Sequence, residues 1–149
     1  MTHKWKETDG PTQVNLELNI GPQAEGHNVH KHLLVTAIIQ KPPSDPYFIN
    51  TWLKDLVELV GMKVLMPPRA QYCDDIGNEG VSGDVVITTS HASIHLWDNL
   101  LQADLYSCRE FDEFGVLEHI ATSFDIKKMA YQVIDRSPER MIWSISPTH

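Results

Sequence analysis

A chain of 149 residues, 42% hydrophobic and 21% charged, has the makings of one folded domain and the wrong composition for a disordered, collagen-like or coiled-coil protein. Twelve basic against twenty acidic residues leave a formal net charge of −8, a field that repels polyanions and anionic bilayers and argues against nucleic-acid and membrane partners. No apolar run approaches the roughly 20 residues of a membrane-spanning helix, Met1–Lys6 is followed by polar residues unlike a secretory signal, and Cys73 and Cys108 read as free thiols of a cytoplasmic protein.

Residues 1–26 read as an N-terminal arm or an added edge strand, because Val14, Leu16, Leu18 and Ile20 alternate with Asn15, Glu17 and Asn19. Residues 27–149 read as the domain proper. His32–Gln40 is β-branched and apolar, the pattern of a buried strand, and Pro42-Pro43 stops it. Ile49, Trp52, Leu53, Leu56, Val57 and Val60 recur at helical spacing over Tyr47–Val60, with Gly61 as the C-terminal stop. Met62–Met66 reads as a strand ended by Pro67-Pro68, and Ala70–Gly80 as a polar loop. Strands follow at Gly83–Thr89, Ala92–Trp97 and Ala103–Cys108. Phe111, Phe114, Leu117, Ile120, Ala121 and Phe124 mark the apolar face of a second helix. Ile126–Ile134 and Met141–Ile145 read as the last strands. Two helices among more strands predict an α+β fold, a two-layer α/β sandwich whose antiparallel sheet is covered by helices on one face.

The chemistry-bearing stretch runs from Gly80-Val81-Ser82-Gly83 through Ser90-His91-Ala92-Ser93-Ile94-His95-Leu96-Trp97 to Asp104-Leu105-Tyr106-Ser107-Cys108. An apolar strand delivers Ser90 to a turn or strand junction, an imidazole follows at His95, and a thiol follows on the next strand. A hydroxyl, an imidazole and a thiol are thereby candidates to converge at one sheet edge. On the residues alone the plain alternative stays open. Ser90 and Ser93 suit turns or sheet positions, His91, Ser93 and His95 share one strand face as surface residues do, and Cys108 suits a small core position.

Other signals are weaker. His27, His30 and His32 have a spacing that a metal uses, but no partnering acid or thiol pattern accompanies them, so no metal site is expected. Cys73-Asp74-Asp75 reads as a polar loop. Asp112, Glu113 and Glu118 suit the helix dipole. Trp52 and Trp143 read as packing residues, and no phosphate-binding glycine motif appears.

The motif series resembles the prokaryotic S-adenosylmethionine decarboxylase proenzyme family, as a divergent member, in Gly80-Val81-Ser82-Gly83, Ser90-His91, Ile94-His95, Trp97 and the strand ending at Cys108. The resemblance continues more weakly from about His32 to Arg136, including Glu118-His119. It implies that residues 27–149 form a domain of that kind. It implies that the chain cuts itself between Thr89 and Ser90, giving residues 1–89 and 90–149, and that Ser90 becomes a pyruvoyl group. That group is the cofactor, a ketone able to form a Schiff base and act as an electron sink. In the same way His95 is implied in proton transfer during self-cleavage, Ser82 as a helper in processing, and Cys108 as proton donor to the product carbon. The implied product is the aminopropyl donor of polyamine (spermidine) synthesis, and the implied assembly is a homodimer of processed protomers.

Three positions depart from the family pattern. Thr89 stands where Glu is usual, Asp98-Asn99 where Pro-Glu is usual, and Cys108-Arg109 where Cys-Gly is usual. Tyr72 lies in the region where an adenine-stacking aromatic is expected. Thr89 removes a charge from the pocket. Together with the altered loop it motivates one alternative, a pyruvoyl-dependent decarboxylase of another amino acid such as ornithine or arginine; a separate alternative is an unprocessed homologue acting as a binding or regulatory subunit.

Overall fold

The computed structural model describes residues 5–7, 29–142 and 145–147. The alternating segment Val14–Ile20, His27 and Trp143 lie outside the described residues. In chain order the elements are β1 (Trp5–Glu7), β2 (Lys31–Gln40), α1 (Pro46–Leu59), β3 (Val64–Cys73), β4 (Gly80–Ile87), β5 (Ser90–Leu96), β6 (Leu100–Ser107), α2 (Glu113–Ser123), β7 (Asp125–Asp135) and β8 (Ile145–Pro147). Six strands form one antiparallel sheet in the order β3-β4-β5-β6-β2-β7, and β1 pairs with β8 apart from it. The two-layer α+β expectation holds.

Strand parity builds the core. In β2, Leu33, Val35, Ala37 and Ile39 are buried, and in β5, Ala92, Ile94 and Leu96 are. Their neighbours of opposite parity emerge on the other face. Helix α1 lays Ile49, Trp52, Leu53, Leu56 and Val57 onto the apolar face. It starts at Asp45, whose carboxylate accepts from Tyr47 N at 2.9 Å, with Pro46 in the first turn, where a missing N–H costs nothing. It stops in a Schellman arrangement. Met62 N donates to Val57 O and Gly61 N to Glu58 O, with Gly61 at φ +68°.

Two glycines of the Gly80-Val81-Ser82-Gly83 motif have structural work. A Cβ on Gly83 would sit 2.8 Å from Ile49 Cγ2 and 3.1 Å from Leu53 Cδ1, so its absence lets α1 lie directly on β4. A Cβ on Gly80 would strike Leu96 O at 1.7 Å. Val81 is core, and only Ser82 points outward to the open face.

Several boundaries differ from expectation. Pro67-Pro68 do not end β3, which continues to Cys73, so the expected loop Ala70–Gly80 is strand for its first four residues. Because β3 is an edge strand, a proline needs no partner on its outer side, and the pairing with β4 shifts register between Met66 and Arg69. Strand β5 begins at Ser90 rather than Ala92. In α2 the buried positions are Val116, Leu117 and Ile120. Phe114 is 64% exposed and Ala121 is exposed, because the stripe that meets the core is Val116, Leu117 and Ile120, continued by Phe124. The last strand is Ile145–Pro147; Met141 and Ile142 are outside it.

Candidate active site

Strands β4 and β5 are joined by a two-residue turn, Thr88-Thr89, and Ser90 is the first residue of β5. Thr89 has φ +53°, a left-handed conformation that a β-branched residue adopts at a cost of about 1–3 kcal/mol. Ser90 is buried, and its Oγ accepts the backbone N–H of Cys108 at 3.0 Å. Cys108 follows the end of β6, and its Sγ accepts from Thr89 Oγ1 at 2.9 Å. The serine hydroxyl and the cysteine thiol therefore flank the Thr89–Ser90 peptide. The Cys108 N–H donated to Ser90 Oγ favours oxyanion character on that oxygen.

The expected imidazole is not there. His95 lies five residues along β5, about 16 Å away at the rise of an extended strand, and on the opposite face. It is exposed, sits directly across from Ser82 in the β4–β5 pairing, and places Nδ1 2.7 Å from Ser82 Oγ. The His95 ring leans against Trp97 at 5.9 Å, and Trp97 Nε1 donates to Asn78 Oδ1 at 2.9 Å. Ser82 and His95 line an open hollow of about 410 Å³ with Arg69, Gln71 and Asp84. Tyr72 belongs to β3 rather than to a loop and lines a separate hollow with Trp97. The four candidate residues thus form two pairs, Ser90–Cys108 and Ser82–His95, at opposite ends of one strand.

Thr89 and Ser90 open onto a pocket of about 710 Å³ whose wall includes His91, Ser93, Tyr106 and Arg136. The Arg136 guanidinium lies 4.5 Å from the centre of the Tyr106 ring, and the Tyr106 hydroxyl is 2.9 Å from His30 Nδ1. His32, His91 and Asp104 also meet on this face. The two Nε2 atoms are 2.8 and 3.2 Å from Asp104 Oδ2, and Ser93 Oγ donates to Asp104 Oδ1. Burial pushes the Asp104 carboxyl upward, but the hydrogen bonds from Ser93 and His32 and the two nearby imidazoles outweigh it and hold it below its ordinary value. Sequence reasoning missed this cluster. His91 was visible only as one of an alternating series, and joining it to Asp104 and His32 requires the pairing register of three strands.

Comparison with known proteins yields a family match and a likeness to solved structures. Residues 32–137 match the model of a family described as S-adenosylmethionine decarboxylase. No curated protein matches. The fold is similar to that of the crystal structure of the adenosylmethionine decarboxylase from Aquifex aeolicus VF5, with a TM-score of 0.62 and 21% sequence identity over 74% of this chain and 92% of that one.

Proposed function

This chain belongs to the S-adenosylmethionine decarboxylase family, and from that premise we propose that it is a self-cleaving, pyruvoyl-dependent decarboxylase of S-adenosylmethionine that supplies the aminopropyl donor for polyamine synthesis. The observation that carries the reading is the buried Ser90 hydroxyl, held by Cys108 N–H at 3.0 Å, with the Cys108 thiol 2.9 Å from the Thr89 side chain across the peptide to be cut.

Self-cleavage uses only this chain's atoms and one water. Ser90 Oγ attacks the Thr89 carbonyl carbon, and the amide nitrogen leaves as the free amine of Ser90. The acyl group is then an ester on Oγ. Loss of the Ser90 Cα proton expels Thr89 as a carboxylate and leaves a carbon–carbon double bond at residue 90. Its tautomer is an imine, which water hydrolyses to a ketone with release of ammonia. Cutting also frees Thr89 from its left-handed turn, so relief of about 1–3 kcal/mol of backbone strain favours the forward direction.

The proton transfers need a base, and within one copy the Ser82–His95 pair stands about 16 Å from Ser90 on the far face of β5. A second copy packed against the open face of the sheet supplies it, so the working unit is a homodimer in which each site takes Ser90 and Cys108 from one chain and Ser82 and His95 from the other. His95 is suited to the task because an imidazole exchanges protons near neutral pH, and Ser82 orients its ring through Nδ1.

A pyruvoyl ketone at residue 90 would supply an electrophile for a substrate amine and an electron sink for decarboxylation, the chemistry that a pyridoxal ring supplies in other decarboxylases. The geometry fits it, since residue 90 is buried yet opens onto the 710 Å³ pocket. Cys108 holds a proton on sulfur beside residue 90 and delivers it to the product carbon. Tyr106 and Arg136 form part of the pocket wall. Thr89 in place of the family's acid makes ornithine and arginine worth testing beside S-adenosylmethionine. Release of labelled carbon dioxide from S-adenosylmethionine, ornithine and arginine, with borohydride trapping of amine onto the chain, tests the reading. Release from S-adenosylmethionine alone is expected. Release from ornithine or arginine instead reassigns the substrate, and no trapping with any of the three overturns the activity.

A further inference from the structure

We infer that His32, His91 and Asp104 form a binding site for a first-row divalent transition metal, Zn2+ foremost, on the open face of the sheet. The three residues come from three adjacent strands. In the pairing register His32 and His91 both stand opposite Tyr106, one on each side of β6, and Asp104 lies two residues along β6. The Asp104 side chain reaches back between the two imidazoles. Its Oδ2 is 2.8 Å from His32 Nε2 and 3.2 Å from His91 Nε2, and the three ligand atoms all lie within 4.8 Å of one another. Metal–ligand bonds near 2.0–2.2 Å place tetrahedral ligand atoms about 3.3 Å apart, so the carboxylate–imidazole separations open by up to about 0.5 Å and the two imidazoles, no more than 4.8 Å apart, close by at most about 1.5 Å, within the reach of side-chain rotation.

The chemistry of the donor set selects the ion. Two imidazoles and one carboxylate suit Zn2+, Co2+, Ni2+ or Fe2+ and disfavour Mg2+ and Ca2+, which want oxygen. The site also has an outer layer. Ser93 Oγ donates to Asp104 Oδ1 and so turns Oδ2 toward the histidines, the arrangement that orients a ligating carboxylate. All four side chains rise from strands, which hold geometry better than loops. Three protein ligands leave a fourth position, and His91 and Ser93 line the same pocket as Ser90, so water or a pocket occupant completes the coordination. An ion here ties β5, the strand that begins with Ser90, to β6 and β2. The inference stands whether or not the Thr89–Ser90 bond is cut.

The test uses the full-length protein stripped with EDTA. Calorimetric titration with Zn2+ is expected to show one equivalent per chain, and Co2+ a visible spectrum of a nitrogen–oxygen site with no thiolate charge-transfer band. The unfolding midpoint should rise with Zn2+ concentration. His91 is 45% exposed, so His91→Ala retains the fold by far-UV circular dichroism while weakening binding at least 10-fold. Asp104→Asn should weaken it further, and Ser93→Ala by roughly 10-fold through the freed carboxylate. Cys73→Ser should bind as the parent does. Absence of saturable binding overturns the inference. So does binding that is equal in the parent, His91→Ala and Asp104→Asn, or that disappears in Cys73→Ser.

Discussion

At its start β5 buries Ser90 beside Cys108, at a strained turn on the edge of the 710 Å³ pocket. At its far end the same strand holds His95 out on the open face, hydrogen-bonded to Ser82. The first end has a hydroxyl and a thiol, and the imidazole nearest to them in the pocket, His91, is engaged by Asp104. The second has a base and its orienting hydroxyl but nothing to act on. The difference teaches that an alternating strand places Ser90 and His95 on opposite faces and some five residues apart, which is the separation that the proposed dimer has to bridge.

The largest effect breaks the first end. Ser90→Ala is expected to abolish fragment formation completely while the fold persists. The orphaned Cys108 N–H costs about 1–3 kcal/mol, less than the 5–15 kcal/mol typical of a domain. Denaturing gels after prolonged incubation, with circular dichroism alongside, check it.

The sharpest test of the division sets the two ends on different chains. His95→Ala alone should slow cleavage about 100- to 10,000-fold, the usual contribution of a positioned acid–base group. Co-expressed with differently tagged Ser90→Ala chains, the His95→Ala chain should be cut again, because its Ser90 then meets an intact His95 on the other copy. The Ser90→Ala chain should stay whole. Recovery of neither chain would place the base within a single copy.

Cys108→Ala separates processing from turnover at the first end. Fragments should still form, while carbon dioxide release falls about 100-fold or more, since the backbone N–H that holds Ser90 remains and only the thiol proton is lost. Equal loss of both steps would give the thiol a part in the cut.

The smallest effect concerns the segment that presents Arg136 to the pocket. The side-chain hydroxyl and backbone N–H of Ser137 both donate to Asp135, and Arg136 N donates to His30 O at 2.7 Å. These Ser137 hydrogen bonds hold the Asp135 carboxyl below its ordinary 3.8. A depressed carboxylate contributes stability above its unfolded value and loses it as pH falls through the folded one. The difference in urea midpoint between the parent and Asp135→Asn should therefore be steady at neutral pH and shrink below about pH 3.8. A difference that persists into stronger acid would trace the effect to packing rather than charge.

Much of this was legible in the residues. The alternation of Leu33, Val35, Ala37 and Ile39 and the helical recurrence from Ile49 to Val57 reflect burial on one face, which local periodicity records. Pro67-Pro68 misled because local chemistry does not reveal that β3 is an edge. Phe114 misled because helical spacing alone admits more than one apolar stripe on α2, and the one that is buried runs through Val116, Leu117 and Ile120. Ser90 and Cys108 were recognised through their motif, but their contact depends on strand pairing over 18 residues. The separation of His95 from Ser90 was readable, since an odd count along a strand reverses the face. The meeting of His32 with Asp104, 72 residues apart, has no local signature at all.

The claim underlying the whole account is that Ser90 is turned into a ketone at a new chain end. Intact-mass measurement of the purified protein after full maturation addresses it directly. The account predicts two polypeptides, residues 1–89 and 90–149, the second lighter by one ammonia than simple hydrolysis would leave it. A single species of 149 residues, or a 90–149 fragment that keeps an N-terminal serine, would contradict it.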